Sequence, residues 1–360
     1  MHRTLVTLVA LLLTACGTNG ATTTTTGPTT TTVGPTTTTT SPPATTTSPA
    51  TTTGPAQGGR TIVLPVVDQL SSRWLRAFVI PYGESPETLG TSLGGDGEGI
   101  LIGPDYGARA PDGSWWILDG AKRRLAHFSA GGQYLGQVEV PAELLASGGY
   151  FQYQLPRVLD DGTVLANSAN LSGSTLVLRL RGDELDTVAI PGEWIPRYDD
   201  GEVVYAFSFE DELLAVDAVA GTAEVTEWFT TRAGERFRLT IEPGRITVEL
   251  PDVPIEVVIP VEAPPEVGGT VFVSAEVAST VDGTLHLFLL GFADADDSVQ
   301  LGGYLTIGPN GVQTAVEPIR NPFTEADPGS PSRLGVRPGS NEVSLMFIDD
   351  DGVRVYYRSR

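Results

Sequence analysis

The stretch Ala110-Pro-Asp-Gly-Ser-Trp-Trp-Ile-Leu-Asp119, continued by Leu125-Ala-His-Phe128, Gly132-Gln-Tyr-Leu-Gly136 and Val138-Glu-Val-Pro141, decides how this chain is read. An Asp-Gly pair favours the positive-φ turns that join neighbouring antiparallel strands. The runs around it are short and rich in aromatic and β-branched residues, as strands are. Related units lie downstream at Asp160-Asp-Gly-Thr-Val-Leu-Ala166, Asp199-Asp-Gly-Glu-Val-Val-Tyr205 and Val281-Asp-Gly-Thr-Leu-His-Leu-Phe288. A last one starts at Gly339 and runs through Val343–Ile348. Asp112 and Asp161 are 49 residues apart, and Asp161 and Asp200 are 39 apart. The next interval, to Asp282, is 82 residues, or two periods of about 41. A unit without its Asp-Gly pair is therefore expected over Arg236–Ile241, Arg245–Leu250 and Ile255–Ile259.

A repeat of roughly 40–50 residues with several strands per unit is the pattern of propeller blades. The sequence thus predicts an all-β fold, a β-propeller of about six blades, with the Arg60–Ile80 strands pairing with C-terminal strands to close the ring. Only Pro141–Ala146 reads as a single helical turn. Residues 103–141 resemble the blades of NHL-type and related six-bladed propellers: Asp-Gly, an apolar strand, Asp, Arg/Leu-x-x-Phe, then Gly-x-x-Leu. That resemblance implies the same fold. The alternative is a pair of β-sandwiches divided near Val261–Gly269, where Pro264-Pro265 is linker-like.

The N-terminus carries a different message. Met1-His2-Arg3 is a short positive region, and Leu5–Leu13 is an apolar run of nine residues. As a helix such a run rises only about 14 Å, far short of a hydrocarbon core of roughly 30 Å, so it reads as a signal peptide. Leu13-Thr14-Ala15-Cys16, followed by Gly17, resembles the lipobox of bacterial lipoproteins. The resemblance implies cleavage before Cys16, a thioether-linked diacylglycerol on Cys16, and further acylation of the new terminus. An ordinary secretory signal with a chance cysteine is the competing reading. Residues 17–57 are Thr runs broken by Gly-Pro, Ser-Pro and Pro-Pro, with no apolar surface to offset ordering entropy. The domain plan is therefore a signal peptide over 1–15, a lipidated Thr/Pro-rich linker over 16–59, and a propeller-like domain over 60–360.

Composition narrows the function. Forty-four acids face 22 basic residues, a formal net charge of −22, and almost all of it lies beyond Arg60. Such a surface repels phosphate backbones, which argues against nucleic acid as a partner. Cys16 is the only cysteine, so a disulfide framework, a Cys-ligated metal and a thiol nucleophile elsewhere are excluded. With only His127 and His286 beyond the signal region, a His-rich zinc site is not expected.

Three units carry an arginine just before their Asp-Gly turn: Arg109, Arg157 and Arg197; Arg333 holds a similar place in the last unit. In a propeller this puts guanidinium groups on innermost strands near the central channel. There they either bind an anion or pair with acids of neighbouring blades. Asp294, Asp296 and Asp297 form a carboxylate cluster that would suit calcium, as would Asp349–Asp351, although neither has the EF-hand pattern. The competing reading of both is a solvated hairpin. His127 and His286 sit in strands and read as structural, and Trp115 and Trp116 as core residues. No nucleophile elbow, HExxH or phosphate loop appears; Gly94–Gly99 is only a flexible stretch. The expected function is a membrane-anchored extracytoplasmic module that binds an envelope protein or glycan. A propeller hydrolase or lyase, calcium-assisted, and a structural envelope protein are the alternatives.

Overall fold

The computed structural model describes residues 56–66, 71–93, 101–102, 104, 106–141, 156–171, 174–208, 210, 212–319, 333–349 and 352–359. The signal peptide, Cys16 and nearly all of the linker lie outside these residues, as do Gly94–Gly99 and all but the first residue of Pro141–Ala146. Every described element is a strand, and six sheets follow one another along the chain.

Blade 1 comprises β6 (Tyr106–Arg109), β7 (Trp115–Asp119), β8 (Arg124–Phe128) and β9 (Tyr134–Glu139). Blade 2 comprises β10 (Arg157–Val158), β11 (Val164–Leu171), β12 (Ser174–Arg181) and β13 (Glu184–Pro191). Blade 3 comprises β14 (Trp194–Asp199), β15 (Val204–Ser208), β16 (Leu213–Asp217) and β17 (Thr222–Val225). Blade 4 comprises β18 (Phe229–Thr230), β19 (Arg236–Glu242), β20 (Arg245–Leu250) and β21 (Ile255–Glu262). Blade 5 comprises β22 (Val271–Ser279), β23 (Leu285–Ala293), β24 (Asp296–Ile307) and β25 (Glu317–Pro318). Blade 6 takes β26 (Arg333–Val336), β27 (Val343–Asp349) and β28 (Gly352–Arg358) from the C-terminal end and its fourth strand, β3 (Trp74–Pro81), from the N-terminal side. A small hairpin, β4 (Ser92–Leu93) with β5 (Leu101–Ile102), lies outside the blades.

Each Asp-Gly turn links the first and second strands of a blade. Asp112 accepts the Ser114 amide at 2.9 Å, Asp161 that of Thr163 at 2.8 Å, and Asp282 that of Thr284 at 3.1 Å. The following glycines, Gly113, Gly162 and Gly283, take φ of 91°, 87° and 78°, a region that costs any side-chain-bearing residue strain. Blade 4 builds the same turn without aspartate. Gly234, at φ 85°, donates to the Thr231 carbonyl, and the Thr231 hydroxyl accepts the Glu235 amide. This is the unit the spacing anticipated, and it begins earlier, at Phe229.

The blades pack face to face, and their apolar clusters run round the ring. Leu118 and Leu125 meet Val164 and Leu178 between blades 1 and 2. Between blades 6 and 1, Phe78 and Met346 meet Trp115 and Phe128. Antiparallel pairing of β3 with β28 closes the circle, as the sequence suggested. The strands before β3 behave differently. β1 (Ala56–Gly58) and β2 (Ile62–Val63) pair parallel to β21 on the rim of blade 4. The chain then crosses blade 5, where Val66 bridges Leu301, before reaching blade 6. The sandwich alternative is overturned. Val261–Gly269 runs from the last strand of blade 4 towards blade 5, and residues on both sides of it share one apolar core.

Candidate functional site

The inner strands bring the predicted arginines to the axis, in different circumstances. Arg109 is buried: it donates to Glu342 of blade 6 at 2.9 Å and lies over the Tyr357 ring at 4.3 Å. Its Nε and Nη1 have no hydrogen-bond partner among the described residues. Arg157 pairs with Asp199 of blade 3 at 3.5 Å. Asp199 also accepts Arg232 of blade 4 at 2.7 Å, and Arg232 reaches on to Asp160 of blade 2. Three arginines are thus answered by acids of adjoining blades. Arg197 is not: it is exposed and forms no ion pair among the described residues. The backbone of Arg333 starts β26, and its side chain lies outside the described residues.

Arg197 and Arg157 line a cavity of about 350 Å³, within the roughly 300–1,000 Å³ range of small-ligand pockets. Blade 4 makes room for it. Its inner strand β18 has two residues against seven in β19, so beyond Phe237 the inner edge of β19 has no strand partner. Leu239 and Ile241 of that strand join Phe207, Phe229 and Phe237 as an apolar wall. Ala275, Glu276 and Val277 of β22 line it too, as does Leu334 of β26.

Glu276 is the one acid in this lining, and the sequence reading did not find it. Its Oε2 accepts the Leu334 amide at 2.8 Å. Burial within the ring pushes its carboxyl up to about 7, against the pull of that amide and of Arg157 and Arg197. The detectable signal was a single charge inside Val271-Phe-Val-Ser-Ala-Glu-Val-Ala-Ser279, an otherwise uncharged inner strand. Towards the turns, a smaller cavity of about 40 Å³ shares Arg157, Tyr198, Val277 and Leu334 and adds Arg109, Asp199 and Arg232. The channel is therefore lined by apolar side chains from blades 3 to 6 and by arginines from blades 1 to 4.

The other candidates lie elsewhere. Asp294 is engaged by the Thr270 amide at 2.6 Å, Asp296 opens β24, and the Asp297 side chain is outside the described residues. Among the described residues no group of three or more His, Cys, Asp or Glu side chains could hold a metal ion. His127 stacks on Trp116 and hydrogen bonds Ser114 at 2.8 Å. His286 is buried between Tyr304 and Thr280. Each ties together parts of its own blade, and Trp115 is core.

The family model described as Domain of unknown function (DUF7485) matches residues 72–358. The chain belongs to this family. No curated protein matches it. Among solved structures, the "Putative exported protein" of Bacteroides fragilis is 10% identical with a TM-score of 0.44, covering 85% of this chain and 99% of that one. Virginiamycin B lyase from Staphylococcus aureus is 9% identical with a TM-score of 0.37, covering 71% and 94%. The WD40 domain of Toxoplasma gondii coronin is 8% identical with a TM-score of 0.41, covering 83% and 88%. At these values the likenesses carry no functional argument, and the six-bladed fold rests on this chain's own strand order.

Proposed function

We propose that the protein is an extracytoplasmic lipoprotein, anchored to the cell membrane through acylated Cys16, whose propeller is a binding module with its site in the axial cavity. The observation that carries the binding reading is the cavity beside β19, which combines apolar lining with Arg197, a guanidinium that forms no ion pair among the described residues. Pockets of that make-up orient a ligand with few polar groups while burying its apolar surface. The anchoring reading rests on the sequence from Met1 to Gly17, where two acyl chains give stable attachment and one would be marginal.

Two experiments test the two halves. Cys16→Ser should move the protein from the membrane fraction to the soluble one, and mass spectrometry of the wild type should find an acylated Cys16 peptide. An unchanged membrane fraction would sink the anchor. For the site, Ala275→Phe fills the cavity and should abolish ligand-induced thermal stabilisation, which a ligand at 100 times its Kd sets at about 2.7 kcal/mol. Stabilisation that survives in this variant would place binding elsewhere.

Glu276 favours one second reading, a hydrolase or lyase of the cell envelope. A carboxyl near 7 in a cleft is poised as a general base. Turnover by the wild type that Glu276→Gln abolishes, with ligand binding retained, would support it.

A further inference from the structure

We infer that the axial cavity takes a small amphipathic monocarboxylate, its carboxylate held by Arg197 beside Arg157 and its apolar body laid against Phe207, Leu239 and Ile241. This deepens the binding-module reading and rests on it.

Charge is the first argument. Two arginines and one acid line the larger cavity. Arg157 is already answered by Asp199, and Asp199 and Asp160 answer Arg232. Arg197 is left facing Glu276, whose position in the ring favours its neutral form more than that of an ordinary carboxyl. With Glu276 protonated, Arg197 is the one unanswered charge in the lining among the described residues, which suits a monoanion and not a dianion. A guanidinium offers a planar fork that matches two carboxylate oxygens.

Shape is the second. Phe207, Leu239 and Ile241 come from blades 3 and 4 and the arginines from blades 2 and 3, so one cavity offers a ligand both apolar surface and guanidinium donors. An inorganic anion would leave the wall wetted, and a purely apolar molecule would leave Arg197 unanswered. An aryl or branched alkyl carboxylate satisfies both. The inner edge of β19 at residues 238–242, paired only with β20, adds main-chain groups for any polar substituent on such a body.

The test is saturation-transfer NMR and calorimetry on the folded, soluble chain, with phenylacetate, phenylacetamide and phenethylamine as probes. These share one body and differ in the charge of the head. Phenylacetate should bind at least about tenfold more tightly than the amide, a difference of about 1.4 kcal/mol, and the amine should not bind. Arg197→Ala should lose that preference, and Arg76→Ala, a change at an exposed position of β3, should keep it. Equal binding of acid and amide, or an unchanged preference in Arg197→Ala, overturns the anionic class. If Ala275→Phe still blocks the probes in that case, the cavity remains a binding site. If none of the three binds, the proposal fails as well. Indole, a neutral apolar probe, then judges the cavity, and its failure to bind would count against the binding-module reading.

Discussion

Asp119 has no solvent exposure and Arg124 almost none, and the pair meets at 3.0 Å. Around them Asp119 also accepts the Gly90 and Lys122 amides, while Arg124 donates to the Pro86 and Thr88 carbonyls. The pair thus clamps the segment 82–90 onto blade 1. Removing one member leaves a buried charge without its counterion, so Asp119→Ala should lose about 3–5 kcal/mol in urea unfolding. The double change Asp119→Leu with Arg124→Met should lose less than the single one. A double variant no better than Asp119→Ala would sink the account. Two further buried groups act on stability through pH. Glu276 is raised to about 7, so its contribution is present at low pH and is lost as pH rises through 7. His286 is lowered to about 4 by burial and by the neighbouring Arg358, so its contribution is present above its ordinary value of 6.5 and is lost as pH falls towards 4. Between them the slopes oppose. Glu276→Gln should therefore make stability rise more steeply between about pH 5 and about pH 7, by about 1–2 kcal/mol at the upper end. Identical urea midpoints for wild type and variant at both values would refute this.

The hairpin turns show how an element can cost different amounts to alter at equivalent positions. At Gly162, φ is 87° and a Cβ would meet nothing, so Gly162→Ala should cost only the backbone strain, about 1 kcal/mol. At Gly201, φ is 99° and a Cβ would run into the Arg232 and Asp160 side chains. Gly201→Ala should therefore also displace the Arg232–Asp160 contact between blades 4 and 2, and with Asp160 partly exposed and Asp199 still holding Arg232 it should cost about 1 kcal/mol more than Gly162→Ala. Equal losses for the two variants in chemical unfolding would mean that the Arg232 network contributes nothing. The same turns explain what could be read in advance. Asp112, Asp161, Asp200 and Asp282 announce their blades because the aspartate accepts the amide two residues on. Blade 4 is hidden because Thr231 does that work from three residues before its glycine. The arginines before the turns were readable as a set, since local spacing puts them on inner strands. That Arg197 has no ion pair among the described residues, while Arg109 and Arg157 do, was not, because each partner acid belongs to another blade. Nor was the cavity, which exists because β18 stops after two residues.

At the scale of the whole molecule, the N-terminal segment is a strap around three blades. It lies parallel to β21 on blade 4, touches blade 5 through Val66, and ends as β3 in blade 6. Parallel pairing leaves no local trace in sequence, which is why Ile62–Val63 reads as part of the ring closure and Ala56–Gly58 as linker. The strap is anchored by apolar burial: Ile62 and Leu64 are fully packed in the core shared by blades 3 to 5. Leu64→Ala should cost about 2–5 kcal/mol, as for other buried leucines. A chain that begins at Ser71 should lose at least as much, and it should self-associate, because β21 would then present a bare edge. The arrangement also bears on anchoring. Residues upstream of Ala56 lead to Cys16, so under the anchoring proposed above any tension on that end would reach β1 and β2 before it reached β3. The strands that would yield first are those whose loss leaves the β3–β28 pairing, and with it the closed ring, in place. Urea unfolding of the shortened chain, followed by light scattering, checks this directly. An unchanged midpoint and a monomeric species would show that the ring bears its load without the strap.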